Sequence, residues 1–166
     1  MTPQQIDTTI YNQAKSMGIA DTQAKLIVAQ ARYETNNYKS PVFNKYNNAF
    51  GYKWVGQKKW ATGQGGAASS HDAQGNPDGG SYAAYPSVAY STGEIVDWLK
   101  RRQAEKKFVI ANLTTPQQYA TALKSAGYYG QTASEYGNGL MNTLKNVAII
   151  ASGGLGILAL IATFFF

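Results

Sequence analysis

Any chemistry done by this chain has to come from carboxyl, hydroxyl and amide groups. The sequence has no cysteine and one histidine, so thiol catalysis is excluded and a histidine-rich zinc site has no ligands. His71 stands in a Gly/Ser-rich stretch and reads as a loop residue. No phosphate-binding Gly-rich loop is present, because the run from Gly63 to Gly66 lacks the strand-to-helix setting such a loop requires. The nine acidic residues are few enough to weigh one by one. Glu34 closes an otherwise apolar-faced helical segment, at offsets of seven and three residues from Ile27 and Ala31. A carboxyl at that edge of a core loses solvation, its pKa rises, and it becomes suited to general-acid work. A surface glutamate paired with Arg32 or Lys39 accounts for the same pattern.

The elements that must hold Glu34 follow from capping and periodicity. Thr2-Pro3-Gln4-Gln5 supplies an N-cap, a proline at the first helical position and a Gln at N3. Ile6, Ile10, Ala14 and Met17 form the stripe of this first helix, and Gly18 ends it. Asp21 is expected to cap a second helix that buries Ala24, Leu26, Ile27, Val28 and Ala31 and runs to Glu34. Asn36 and Asn37 then close it, and Pro41 marks a stop. Residues 44–85 are rich in Asn, Gly, Tyr, Trp and Gln. In this region FGYKWVG is expected to pair with SYAAY across a long Gly-rich connection. Ile95, Val96, Trp98 and Leu99 predict a helix leading into a basic stretch that ends near Lys107. Thr115-Pro116-Gln117-Gln118 repeats the capping pattern, with Tyr119, Ala122 and Leu123 as its stripe and Gly127 as its end. A last helix is predicted from Ala133 to Leu144, weakened and open to bending at Gly137 and Gly139.

From Val147 to Phe166 the sequence carries no charge, and twenty residues at about 1.5 Å each match the thickness of a hydrocarbon core. A transmembrane helix is the expectation there, with residues 1–142 as the soluble domain and 143–166 as the anchor. Met1 to Ala20 is polar and lacks the apolar core of a secretion signal. The formal net charge is +6, carried by Lys53, Lys58, Lys59, Lys100, Arg101, Arg102, Lys106 and Lys107, with Lys145 just ahead of the span. Such a surface suits anionic lipid, an anionic wall polymer or nucleic acid. No nucleic-acid-reading motif accompanies it, so no specific nucleic-acid partner is expected.

Four segments in order resemble the endo-β-N-acetylglucosaminidase family of bacterial and phage peptidoglycan hydrolases, which includes the flagellar muramidase-like domain. Ala29-Gln30-Ala31-Arg32-Tyr33-Glu34-Thr35 is similar to the family's helix ending in a catalytic glutamate. Asn47-Asn48-Ala49-Phe50-Gly51-Tyr52-Lys53 resembles its Asn-Asn-x-Phe-Gly-x-Lys segment. Tyr82-Ala83-Ala84-Tyr85-Pro86-Ser87 resembles its Phe-Arg-x-Tyr-x-Ser strand. Ala122-Leu123-Lys124-Ser125-Ala126-Gly127-Tyr128 resembles its late Ala-Leu-x-x-Ala-Gly-Tyr motif, with Tyr136 matching the tyrosine that follows. Two departures stand out: Thr35-Asn36 replaces Ser-Gly after the acid, and Ala83-Ala84 lacks the arginine.

The resemblance implies a lysozyme-like α+β fold, mainly helical with a small β lobe, plus the C-terminal transmembrane helix. It implies cleavage of β-1,4 bonds in the glycan strand of peptidoglycan, without metal or cofactor. Glu34 is then the acid. Asp72 is favoured over Asp78 as a second acid, since Asp78 has a turn role, and Tyr128 orients the attacking water or the N-acetyl group. Asn48, Phe50, Tyr52, Tyr85 and Tyr136 are the expected substrate contacts, with Trp54 and Trp60 extending the aromatic platform. Asn48 is equally suited to a turn, and Phe50 and Tyr52 to a hairpin core. The expected partners are the glycan strand, a lipid bilayer through residues 147–166, and other membrane or capsid proteins of a virion. This layout fits a lytic component in the internal membrane of a phage particle, or alternatively a protein of the bacterial inner membrane. A host enzyme, a phage lysis enzyme, or a glycan-binding protein that has lost activity are the alternatives.

Overall fold

The computed structural model describes residues 1–65, 81–147 and 149. The predicted helices form, and the two predicted capping boxes set two of their starts. Helix α1 (Pro3–Ser16) begins in a full capping box of Thr2 and Gln5, and α5 (Pro116–Ser125) in the equivalent box of Thr115 and Gln118. Helix α2 spans Asp21–Glu34, but its N-cap is Ala20. Asp21 stands at the first helical position and pairs instead with Lys25 at 2.8 Å. Helix α4 runs from Val88 to Ala104 and α6 from Ala133 to Leu144.

Pro41 starts a helix as well as following one. Ser40 accepts from the Phe43 N–H, and the fixed φ of Pro41 suits the first helical position, so α3 forms over Pro41–Tyr46. The β lobe also differs from expectation. Strand β1 (Gly63–Gln64) pairs antiparallel with β2 (Ala83–Ala84), whereas the 50–56 segment contributes one bridge, Lys53 to Tyr82. Backbone bonds from Trp54 N–H to Ser81 and from Ala83 N–H to Tyr52 still hold that segment along the other edge of 81–84.

Helix α2 is buried almost all round, from Gln23 to Arg32, and packs between α1 and α6. Ile6, Ile10, Ile27, Val28, Ile95, Leu99, Leu123 and Leu140 fill the core around it. The glycines of α6 are packing sites. A Cβ at Gly139 would lie 2.2 Å from the Tyr33 ring, and one at Gly137 would lie 3.3 Å from Gln117 Cα. Bare backbone at these two positions lets α6 close on α2 and α5, so the expected weakness of the helix is offset by contact.

The expected membrane span lies outside the described residues except for Val147 and Ile149, which pack on the core. Among the described residues, no helix is long and apolar enough to cross a membrane.

Candidate active site

Glu34 is the last residue of α2, where the negative end of the helix dipole already disfavours a carboxylate. Its surroundings come from α6 and from the turn after α3. Tyr136, in the first turn of α6, donates its phenolic proton to Glu34 Oε1. On the other side lies Gly51, at φ +65°, where an added Cβ would stand 4.0 Å from Glu34 Oε2. One oxygen is thus engaged and the other faces bare backbone.

Burial pushes the Glu34 carboxyl up to about 7, and the hydrogen bond from Tyr136 opposes that rise. Glu34 nevertheless keeps part of its surface open to solvent. It therefore carries a proton near neutrality and can deliver it outward. Since Oε1 accepts from Tyr136, the proton belongs on Oε2, the oxygen facing Gly51.

The phenol of Tyr136 is itself boxed in. Tyr129 stacks on it at 3.9 Å and 10°, and Tyr33 meets it edge-on at 5.0 Å and 83°. Tyr33 also donates to Gln131 Oε1 at 3.1 Å. Burial, then the charge of Glu34, pushes the Tyr136 hydroxyl well up, so it remains a donor. Removing that donor in Tyr136→Phe should move the Glu34 titration to higher pH and lower turnover about tenfold, read from pH–rate profiles of both proteins.

The other expected site residues fall into separate roles. Tyr128 donates to the Phe50 carbonyl at 2.8 Å, which fixes the backbone next to Gly51. Its ring meets Tyr52 edge-on at 6.0 Å and Trp98 at 5.2 Å. Its hydroxyl proton is committed there, leaving only lone pairs for a ligand. Asn48 is 1% exposed, and its amide is consumed by the turn. It donates to Tyr52 O at 2.8 Å and to Ala83 O at 3.0 Å, and accepts from Tyr52 N–H at 3.0 Å. These bonds give Asn48 a turn role. Phe50 and Tyr85 are each 3% exposed, in the main core and in the β-lobe core respectively. Tyr52 is partly buried between the two clusters. Asp72 and the competing Asp78 lie outside the described residues, as does His71.

Arg32 and Lys39 do not neutralise the acid. Arg32 is held in a buried pair with Asp7 at 2.6 Å, and burial with Tyr136 accounts for the Glu34 shift without any other carboxylate. Glu135, next to Tyr136 in sequence, caps α6 through Thr132. Among the described residues no second carboxylate contributes to the Glu34 shift, and Glu94, buried beside Tyr52 and Tyr85, is the other acid of this region. Sequence reading missed Tyr33, Tyr129 and Gly51 as its walls. The Tyr-Tyr repeat at 128–129 and the Tyr33-Glu34 neighbour were the available signals.

A protonated carboxyl at a helix end, beside a small β lobe in a mainly helical frame, defines a lysozyme-like glycoside hydrolase. The chain belongs to the Glucosaminidase family, described as mannosyl-glycoprotein endo-beta-N-acetylglucosaminidase, whose model matches residues 10–148. A crystal structure of a peptidoglycan hydrolase from Sphingomonas sp. A1 shares the fold. Its TM-score is 0.61 at 22% identity, covering 89% of this chain and 96% of that one. Comparison with curated proteins returns no match.

The raised carboxyl also has a consequence for stability. Between about pH 4.5 and about 7 the folded chain holds a proton on Glu34 that the unfolded chain releases. Stability from this group is thus greatest below the unfolded value and falls as pH rises through about 7. Glu34→Gln should be more stable than wild type at pH 8 by about 1–3 kcal/mol, and near equal at pH 4.5, in urea unfolding.

Proposed function

We propose that this chain hydrolyses β-1,4 glycosidic bonds in the glycan strand of peptidoglycan, with Glu34 as the acid. The observation carrying this is a carboxyl held near neutral pKa by burial while its Oε2 accepts no hydrogen bond from any described residue. Glu34 Oε2 gives its proton to the glycosidic oxygen as the C1–O bond breaks. Water, or the carbonyl oxygen of the substrate's own N-acetyl group, attacks C1, and the water that completes hydrolysis returns a proton to Glu34. Tyr136 holds the resulting carboxylate, and Tyr128 fixes the Phe50–Gly51 backbone against it. Asp72 remains the proposed second acid.

Residues 147–166 hold the domain at a bilayer in this reading, as a lytic component of a membrane-containing phage particle. Support for the membrane comes from the uncharged run in the sequence. The full chain in detergent, incubated with purified peptidoglycan, should release new reducing ends, and mass spectrometry should show which sugar carries them. No release above the Glu34→Gln level would overturn the reading.

A further inference from the structure

Helices α2 and α6 run antiparallel, and this decides where the chain leaves the domain. Tyr136 meets Glu34, Gly139 faces the Tyr33 ring, and Thr143 donates to Ala29 O at 3.0 Å. Moving forward along α6 is thus moving backward along α2. Leu144 therefore lies toward the start of α2 from Glu34, about 12 Å along the helix axis, with the chain still heading that way. From Val147 the sequence continues without a charge to Phe166.

The same end gathers two other features. Gln23, in the first turn of α2, donates to Ala111 O and Leu113 O at 3.3 and 3.2 Å, which sets the 106–113 turn there. Val109, on that turn, is 52% exposed. Lys100 donates to Met17 O at 2.6 Å, so the last turn of α4 also lies here, with Arg101 and Arg102 in it. Lys106, Lys107 and Lys145 are exposed at this end. The acids nearby, Asp21, Glu94 and Glu105, are each paired, with Lys25 at 2.8 Å, with Arg101 at 3.9 Å and with Arg102 at 2.5 Å, which leaves Lys106, Lys107 and Lys145 as the excess. An excess of cations around a bare apolar side chain, where an uncharged run departs, is the chemistry of an anionic bilayer surface.

We infer that the end of the domain formed by the α2 N-terminus, the α4 C-terminus and the 106–113 turn docks on anionic lipid headgroups, with Val109 entering the interface. The catalytic carboxyl then faces away from the lipid, toward the wall. This rests on the bilayer reading of residues 147–166 and adds an orientation to it.

The absence of native cysteine makes the test direct. Full-length Val109→Cys and Lys39→Cys, the latter at the Glu34 end of α2, are labelled with an environment-sensitive fluorophore and reconstituted into phosphatidylglycerol vesicles containing doxyl-lipid quenchers. Val109→Cys should shift to the blue and quench several-fold more than Lys39→Cys. The difference should shrink in phosphatidylcholine vesicles or at about 0.5 M salt. Flotation of the vesicles is scored in parallel. Chains that float while the Val109 label stays aqueous, or quenches no more than Lys39, refute the docking and leave the anchor intact. Chains that do not float refute both. A blue shift produced by soluble wall teichoic acid in place of vesicles assigns the basic end to the wall polymer and refutes the lipid.

Discussion

Glu34→Gln is expected to lower the rate of glycan cleavage by about 10²–10⁴-fold while leaving the fold in place. The amide occupies the volume of the carboxyl and can still accept from Tyr136 through its oxygen. It has no proton at neutral pH to give a leaving oxygen. Because the loss falls on proton transfer, kcat should drop and KM should change little. The effect should exceed that of Tyr128→Phe, since Tyr128 acts on the site through the Phe50 carbonyl 2.8 Å away. Assays on purified glycan strands, wild type beside both variants, check the order. A Glu34→Gln protein within tenfold of wild type would remove Glu34 from the mechanism.

Asp7→Ala should be the most damaging single change to stability, at about 3–5 kcal/mol. Asp7 is fully buried on α1. It accepts from Arg32 Nε at 2.8 Å and Nη2 at 2.6 Å, and from the Tyr38 hydroxyl at 2.6 Å. Deleting the carboxylate leaves a buried guanidinium and a buried phenol without their acceptor, which costs more than the pair itself contributes. The loss is a large part of the about 5–15 kcal/mol that holds a typical domain. Arg32 is two residues from Glu34, so this network also anchors the helix end that aims the acid. By contrast Lys25→Ala, which breaks a half-exposed pair with Asp21, should cost under about 1 kcal/mol. Urea midpoints of the two variants at unchanged m-value test the contrast. A loss below about 1 kcal/mol in Asp7→Ala would show that Arg32 finds other partners.

Local signals in the sequence were enough to place most helices. Thr2 and Thr115 mark two starts through capping boxes, and the segment Ala133–Leu144 forms as patterned. The position of Glu34 at the rim of the core follows from helical register, and its raised carboxyl follows from that position. Partners distant along the chain left no such trace. Tyr136 lies 102 residues from Glu34, and its contact depends on α6 closing over α2 at Gly139. Burial was not legible from residue type: Asn48, Phe50 and Tyr85 suit a sugar groove by chemistry, and tertiary packing buries each of them. Pro41 was legible as a break, but Ser40 ahead of it makes the same residue a helix start. The β register was obscured because the long Gly-rich connection leaves more than one partner for SYAAY.

The most direct test of the central claim is the pH dependence of kcat/KM for the wild-type chain on soluble glycan strands. A proton held on Glu34 by burial requires activity that is retained below pH 7 and declines as pH rises through about 7. A decline centred near the ordinary glutamate value of 4.5, or activity unchanged to about pH 9, would contradict Glu34 as the acid that breaks the bond.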